Sequence, residues 1–178
     1  MTGEEEQRQE SLSSLLWALV LSIVLVYMVL ASQFESLLHP FTILLTIPLA
    51  LIGSIWIFLF TGMTINIMGI IGVVVLTGIA INNSILLVVR INQLKTDMEL
   101  FDAIVQAGQQ RIRPIIMTSL TTILAMLPMS FNIGEGAALR SSLALAIIGG
   151  LITSTLMSLV VIPCVYFVFE KMKLKIKG

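Results

Sequence analysis

The chain has 178 residues, 57% of them hydrophobic and only 11% charged, with ten basic side chains balancing ten acidic ones. A soluble domain carries about 25% charged residues, so an ordinary water-soluble globule is excluded. No basic stripe, nucleotide loop, zinc spacing or Ser/His/Asp set is present, which leaves nucleic-acid binding and enzymatic readings without support. The apolar residues fall in blocks near the length of a bilayer core, and the expected class is an all-α membrane protein. The single cysteine, Cys164, lies inside such a block and can form no internal disulfide.

In chain order, residues 1–12 form an acidic polar tail that ends in Ser/Leu alternation, suited to the first turns of a helix. A secretory signal would start basic, and this tail does not. Five spans follow at about residues 13–31, 40–60, 67–89, 114–130 and 142–169. Pro40 suits the first turn of the second span, and Pro48 should kink it. Between spans three and four, Leu100, Phe101, Ile104 and Val105 mark one side of an interfacial helix over about 98–110. Pro114 opens the fourth span, and the stretch Asn132–Leu139 reads as a Gly-rich turn. The fifth span is long enough to tilt or project, and it runs into a basic tail over 173–178.

Basic residues set the orientation. Arg90, Lys95, Arg111, Arg113 and then Lys171, Lys173, Lys175 and Lys177 fall on one side, with Arg8 and Arg140 on the other. The eight-residue side is expected to be cytoplasmic, which places the N-terminus outside and the C-terminus inside. An outward acidic tail has two readings. The first helix carries a short tail across, or the chain is the last part of a longer polypeptide with an external domain before it.

Asn82 and Asn83 sit in the middle of the third span among Ile, Val, Leu, Gly and Ala. Amides at that depth are costly unless they face other helices, a cavity or water. They serve either as interhelical hydrogen-bond glue or as the lining of an ion or proton path. Successive helical residues point about 100° apart, so only one of the pair faces a given neighbour. Thr118, Thr121 and Thr122 share a helix face, where threonine commonly bonds back to its own carbonyls. Arg111 and Arg113 read most simply as cytoplasmic anchors. Ser142, Ala146, Gly150, Ser154 and Ser158 recur every fourth residue, a ladder that lets another backbone approach closely. Glu35 and His39, the one histidine, lie in the first connector, where His39 suits a cap or interfacial role. The ten methionines show no pairing at ligand spacing, so no metal site is expected.

Three stretches, SQFESLLHPFTILLTIPLALIG (Ser32–Gly53), GIAINNSILLVVRIN (Gly78–Asn92) and RIRPIIMTSLTTILAMLPM (Arg111–Met129), resemble the C-terminal membrane half of resistance–nodulation–division (RND) efflux pumps. The resemblance is closest to the hydrophobe and amphiphile, or multidrug, branch. It runs from the polar tail to Lys173, and the Arg-x-Arg-Pro-Ile-x-Met-Thr-Ser stretch is its most specific part.

The resemblance implies a twelve-helix pump of two similar halves, with a large external loop after the first helix of each. This chain would supply helices eight to twelve, its tail being the exit from the second external loop. Such a pump resides in the bacterial inner membrane as a homotrimer, joined to a periplasmic adaptor and an outer-membrane channel. It needs no cofactor and exchanges protons for hydrophobic or amphiphilic compounds. The relay centres on an acidic pair in the first half, with a Lys on the tenth helix and a Thr and an Arg on the eleventh.

On that resemblance, the Thr matches Thr118, the Arg matches Arg111, the Lys position falls on Asn82 and the next residue is Asn83. An amide does not change charge near neutral pH. Asn82 can therefore orient a carboxylate or a water, but cannot neutralise one as an ammonium does. The metal-exporting branch tends to place an acid on this helix, and none is here. Spans three to five contain no Asp or Glu, so the chain alone is expected to couple no protons. The competing expectation is a small structural membrane protein or remnant that packs without transporting.

Overall fold

In lipid every backbone polar group must be satisfied within the chain, which leaves helices or closed barrels as spanning elements. The computed structural model describes residues 2–34, 38–131 and 136–177, and among these it contains helices and no strand. Six helices follow in order: α1 Thr2–Phe34, α2 Leu38–Leu44, α3 Thr46–Thr61, α4 Ile67–Leu94, α5 Leu100–Ser130 and α6 Ala137–Lys177. Five stretches are long and apolar enough to cross a membrane: Gln9–Phe34, His39–Thr61, Ile67–Leu94, Leu100–Ser130 and Ala137–Met172. The protein is an all-α, five-span bundle.

The polar N-terminal tail continues α1 rather than standing apart from it. The second span is divided at Leu45, one helical turn before the next, because Pro48 has no N–H to give the Leu44 carbonyl and its ring crowds that oxygen. Leu45 itself keeps helical dihedrals, and the interruption falls beside Pro48, where the kink was expected. Gly62, at φ 64°, closes α3 in the left-handed region. Asn66 opens α4 by accepting the Gly69 N–H at 2.9 Å.

The separate interfacial helix over 98–110 is not what the fold contains. Its residues run on into the fourth span as the single 31-residue helix α5, with Pro114 inside it. Proline removes one main-chain hydrogen bond, and the flanking bonds carry the helix through. Phe101 and Val105 of the expected apolar side are exposed, whereas Ile104 of that side is buried with Ala103 and Ala107 in one cluster with Ile91 and Leu94 of α4. Two alanines let the backbones approach, so this segment packs on α4.

Helix α6 is the hub, packed against α3, α4 and α5, and it is buried on most of its circumference. Its ladder of Ser142, Ala146, Gly150, Ser154 and Ser158 is buried throughout. The contacts are close. A methyl placed on Gly72 would lie 2.8 Å from the Leu143 carbonyl, and one on Gly150 would lie 2.9 Å from the Ala50 carbonyl. The Ser54 hydroxyl donates to the Ala146 carbonyl at 2.8 Å and so links α3 to α6. By contrast α1 is largely exposed and, among the described residues, touches only α2 and α4.

At one end of the bundle, Lys95 beyond α4 forms an ion pair with Glu170 of α6. The Tyr166 hydroxyl donates to Asn92 Oδ1 beside it. Arg90 gathers there too, its Nε donating to Gln110 Oε1 at 2.7 Å. The expected turn over Asn132–Leu139 lies outside the described residues up to position 135, and Gly136, which is described, takes φ 71°. Glu35 and the side chains of the basic tail from Lys173 onward also lie outside them.

Candidate functional site

The polar centre of the third span is built from the register of α4. Leu76, Ala80, Leu87 and Ile91 turn into the bundle and fix the rotation of the helix. That rotation leaves Val75, Gly78, Asn82 and Leu86 exposed along a single stripe. Asn82 thus lies on the open side of α4. It lines a groove of about 270 Å³ against α1, whose near wall is Leu19, Ser22, Ile23 and Val26. Asn83 turns the other way and is buried, at 7% exposure.

The hydroxyls of this layer bond locally. Thr77 donates to the Val73 carbonyl at 2.8 Å and Ser84 to the Ala80 carbonyl at 2.9 Å. On α5, Thr118 is exposed and donates to the Ile115 carbonyl at 3.0 Å. Thr121 and Thr122 donate to the carbonyls of Met117 and Thr118. Arg111 is half-exposed. Among the described residues no hydrogen bond joins Asn82, Asn83, Thr118 and Arg111 to one another. The structure therefore presents them as separate positions on two helices. Nor does any group of three or more His, Cys, Asp or Glu among the described residues stand together to hold a metal.

Two polar contacts escaped the sequence reading. Ser119 and Thr155 share a buried hydrogen bond of 2.8 Å between α5 and α6. We expect Ser119→Ala with Thr155→Val to lower the thermal stability of the purified chain modestly, by ~0.6 kcal/mol, a typical interhelical hydrogen bond in a bilayer. Glu170 carried a signal that could have been read, as an acid at the margin of a long apolar run. Its partner Lys95 is 75 positions away and could not be named without the fold.

The sequence profile described as the AcrB/AcrD/AcrF family matches residues 1–170. The chain belongs to the AcrB/AcrD/AcrF family. Its fold is likewise similar to two crystal forms of a heavy metal efflux pump. In crystal form II the TM-score is 0.84 at 30% identity, covering 93% of this chain. In crystal form I the TM-score is 0.80 at 28% identity, covering 94%. The chain spans 16% of the length of that pump. Membership of this family makes the protein part of the RND efflux transporters, and its five apolar helices make it multi-pass.

Proposed function

We propose that the chain forms the second membrane half, helices eight to twelve, of a proton-driven RND exporter of hydrophobic or amphiphilic compounds. It would work only beside a first half that supplies the acids, as a homotrimer in the bacterial inner membrane with an adaptor and outer-membrane channel. The observation that carries this reading is the family match across residues 1–170, joined to an open stripe on α4. That stripe presents an amide to a neighbour and nothing that titrates, since α4 holds no acid at all and its one base, Arg90, lies near its end. Asn82 would then orient a carboxylate or water on the facing half. Thr118 and Arg111 would flank the route, and Asn83 would pack within the bundle.

A second cargo, heavy-metal cations, has one observation in its favour: the similarity to a heavy metal efflux pump. That similarity covers membrane helices alone, and the acids within spans three to five are Asp102, in the first turn of α5, and Glu170, already paired with Lys95, so no acid lies in the middle of these spans to receive a cation. We therefore favour the amphiphilic cargo.

Proteoliposomes separate the readings. The chain alone should give no proton-dependent dye efflux, and the chain completed by its first half and external domains should give it robustly. Dye efflux from the isolated chain would overturn the proposal. Copper or zinc export by the complete pump without dye export would establish the second cargo. Neither export from a folded complete pump would leave a packing role only.

A further inference from the structure

The rings at the basic end of the bundle form a continuous line through three helices, α1, α2 and α6, that ends in a hydrogen bond to a fourth, α4. Phe34 at the end of α1 meets His39 of α2, with centroids 5.9 Å apart. His39 stacks on Tyr166 of α6 at 5.1 Å and an interplanar angle of 14°. The Tyr166 hydroxyl then donates to Asn92 of α4. His39 and Tyr166 are both buried, so each ring is held by its neighbours rather than by solvent. Phe41 of α2 adds an edge contact to Phe169 of α6 at 6.1 Å.

The mechanics around this line are uneven. Helix α2 is set off from α3 at Leu45, where the helix is interrupted next to Pro48. It is also anchored: Pro40, Thr42 and Ile43 are almost wholly buried, and Ile43 shares a cluster with Leu30 of α1, Ile91 of α4 and Tyr166 of α6. Helix α1 has little other hold on the bundle. A tilt of α1 is thus resisted mainly at its Phe34 end. The rings there are stiff, with two side-chain torsions each, and densely packed interiors transmit strain rather than absorb it.

We propose that Phe34, His39, Tyr166 and Asn92 form a conformational relay that couples the tilt of α1 to the position of α4. Lys95 and Glu170 brace it one turn further along. Tyr166 and His39 act here as positioning residues, since neither touches Asn82. The relay rests on the proposed transport reading only for its purpose, which is to carry a movement of α1 to the helix that bears Asn82.

The test uses the full chain in lipid nanodiscs with Cys164 replaced by Ser. Spin labels at Trp17→Cys on α1 and Phe60→Cys on α3, both exposed, report the tilt of α1 against the bundle. The parent should give one narrow distance distribution. His39→Ala should widen it about twofold, as two tilts become populated, and His39→Phe, which keeps a ring, should restore it. Asn92→Ala and Tyr166→Phe should each widen the α1 distribution too, and the pair together no further than either alone. A merely local role would confine the effect of Asn92→Ala to α4. An α1 distribution unchanged by Asn92→Ala or Tyr166→Phe in helical, monodisperse protein overturns the relay, as does a failure of His39→Phe to restore it. Because no transport is measured, an inactive pump leaves the relay standing, and unchanged distances leave the transport reading untouched.

Discussion

Replacing Gly53 or Gly150 by Val should unfasten α3 from α6 and cost about 1–3 kcal/mol each, the usual cost of overpacking a filled core. At Gly53 an added Cβ would meet the Thr153 side chain and lie 2.5 Å from the Gly149 carbonyl oxygen. At Gly150 it would meet Leu76, Ser54 Oγ at 2.6 Å and the Ala50 carbonyl at 2.9 Å. A side chain can rotate away, but a carbonyl on a facing helix cannot. The helices must part, and the Ser54 bond to the Ala146 carbonyl goes with them. Without water to expel, close packing is the principal force that joins helices in lipid, so the loss has no hydrophobic compensation. Gly108 provides the contrast. Nothing stands within 4 Å of a Cβ there, and Gly108→Ala should gain about 0.5–1 kcal/mol through helix propensity alone. Thermal unfolding in one detergent, followed by tryptophan fluorescence, orders the three variants. Equal melting temperatures for Gly150→Val and Gly108→Ala would show that α3 and α6 do not depend on this contact.

Some of this architecture could be read from the sequence because it is written in lengths. Blocks of Ile, Leu and Val near twenty residues long gave five spans, and Pro48 gave the interruption between α2 and α3. Pro114 misled for a physical reason. Proline opens helices more comfortably than it sits within them, yet one missing N–H does not stop a helix whose Ala103 and Ala107 are clamped against α4. The amphipathic pattern found Ile104 but missed Ala103 and Ala107, because it weighs large apolar residues and the buried face of α5 also uses small ones. Pairings across the bundle were beyond sequence altogether. Nothing local distinguishes Lys95 from the other bases, or Tyr166 from Tyr27, before the fold brings Glu170, Asn92 and His39 alongside. For the candidate site the spacing put Asn82 and Asn83 on different faces. Which one looks outward depended on where Leu76, Ala80 and Leu87 found their partners.

That outward direction makes Asn82→Lys the most discriminating substitution in the protein. Asn82 is the sixteenth residue of a 28-residue helix, so a charge placed there sits near mid-bilayer. In the isolated chain the open stripe of α4 meets lipid. The ammonium should then cost about 2.5–3.5 kcal/mol on insertion scales, lowered by whatever snorkelling the side chain achieves. Membrane yield and melting temperature of the isolated variant should both fall. In the complete pump the same ammonium would face carboxylates of the first half, where an opposite charge repays its desolvation. Efflux should therefore survive Asn82→Lys. By contrast, on the proposed role, Asn82→Ala would remove a hydrogen bond to a charged group, worth about 1.5–3 kcal/mol, and should slow efflux by roughly 10- to 100-fold. The Lys substitution is thus costly in the isolated chain and tolerated in the complete pump, whereas at a packing residue it would be costly in both. Loss of efflux with Asn82→Lys, or unchanged efflux with Asn82→Ala, would remove Asn82 from the proton route and leave it as a helix contact.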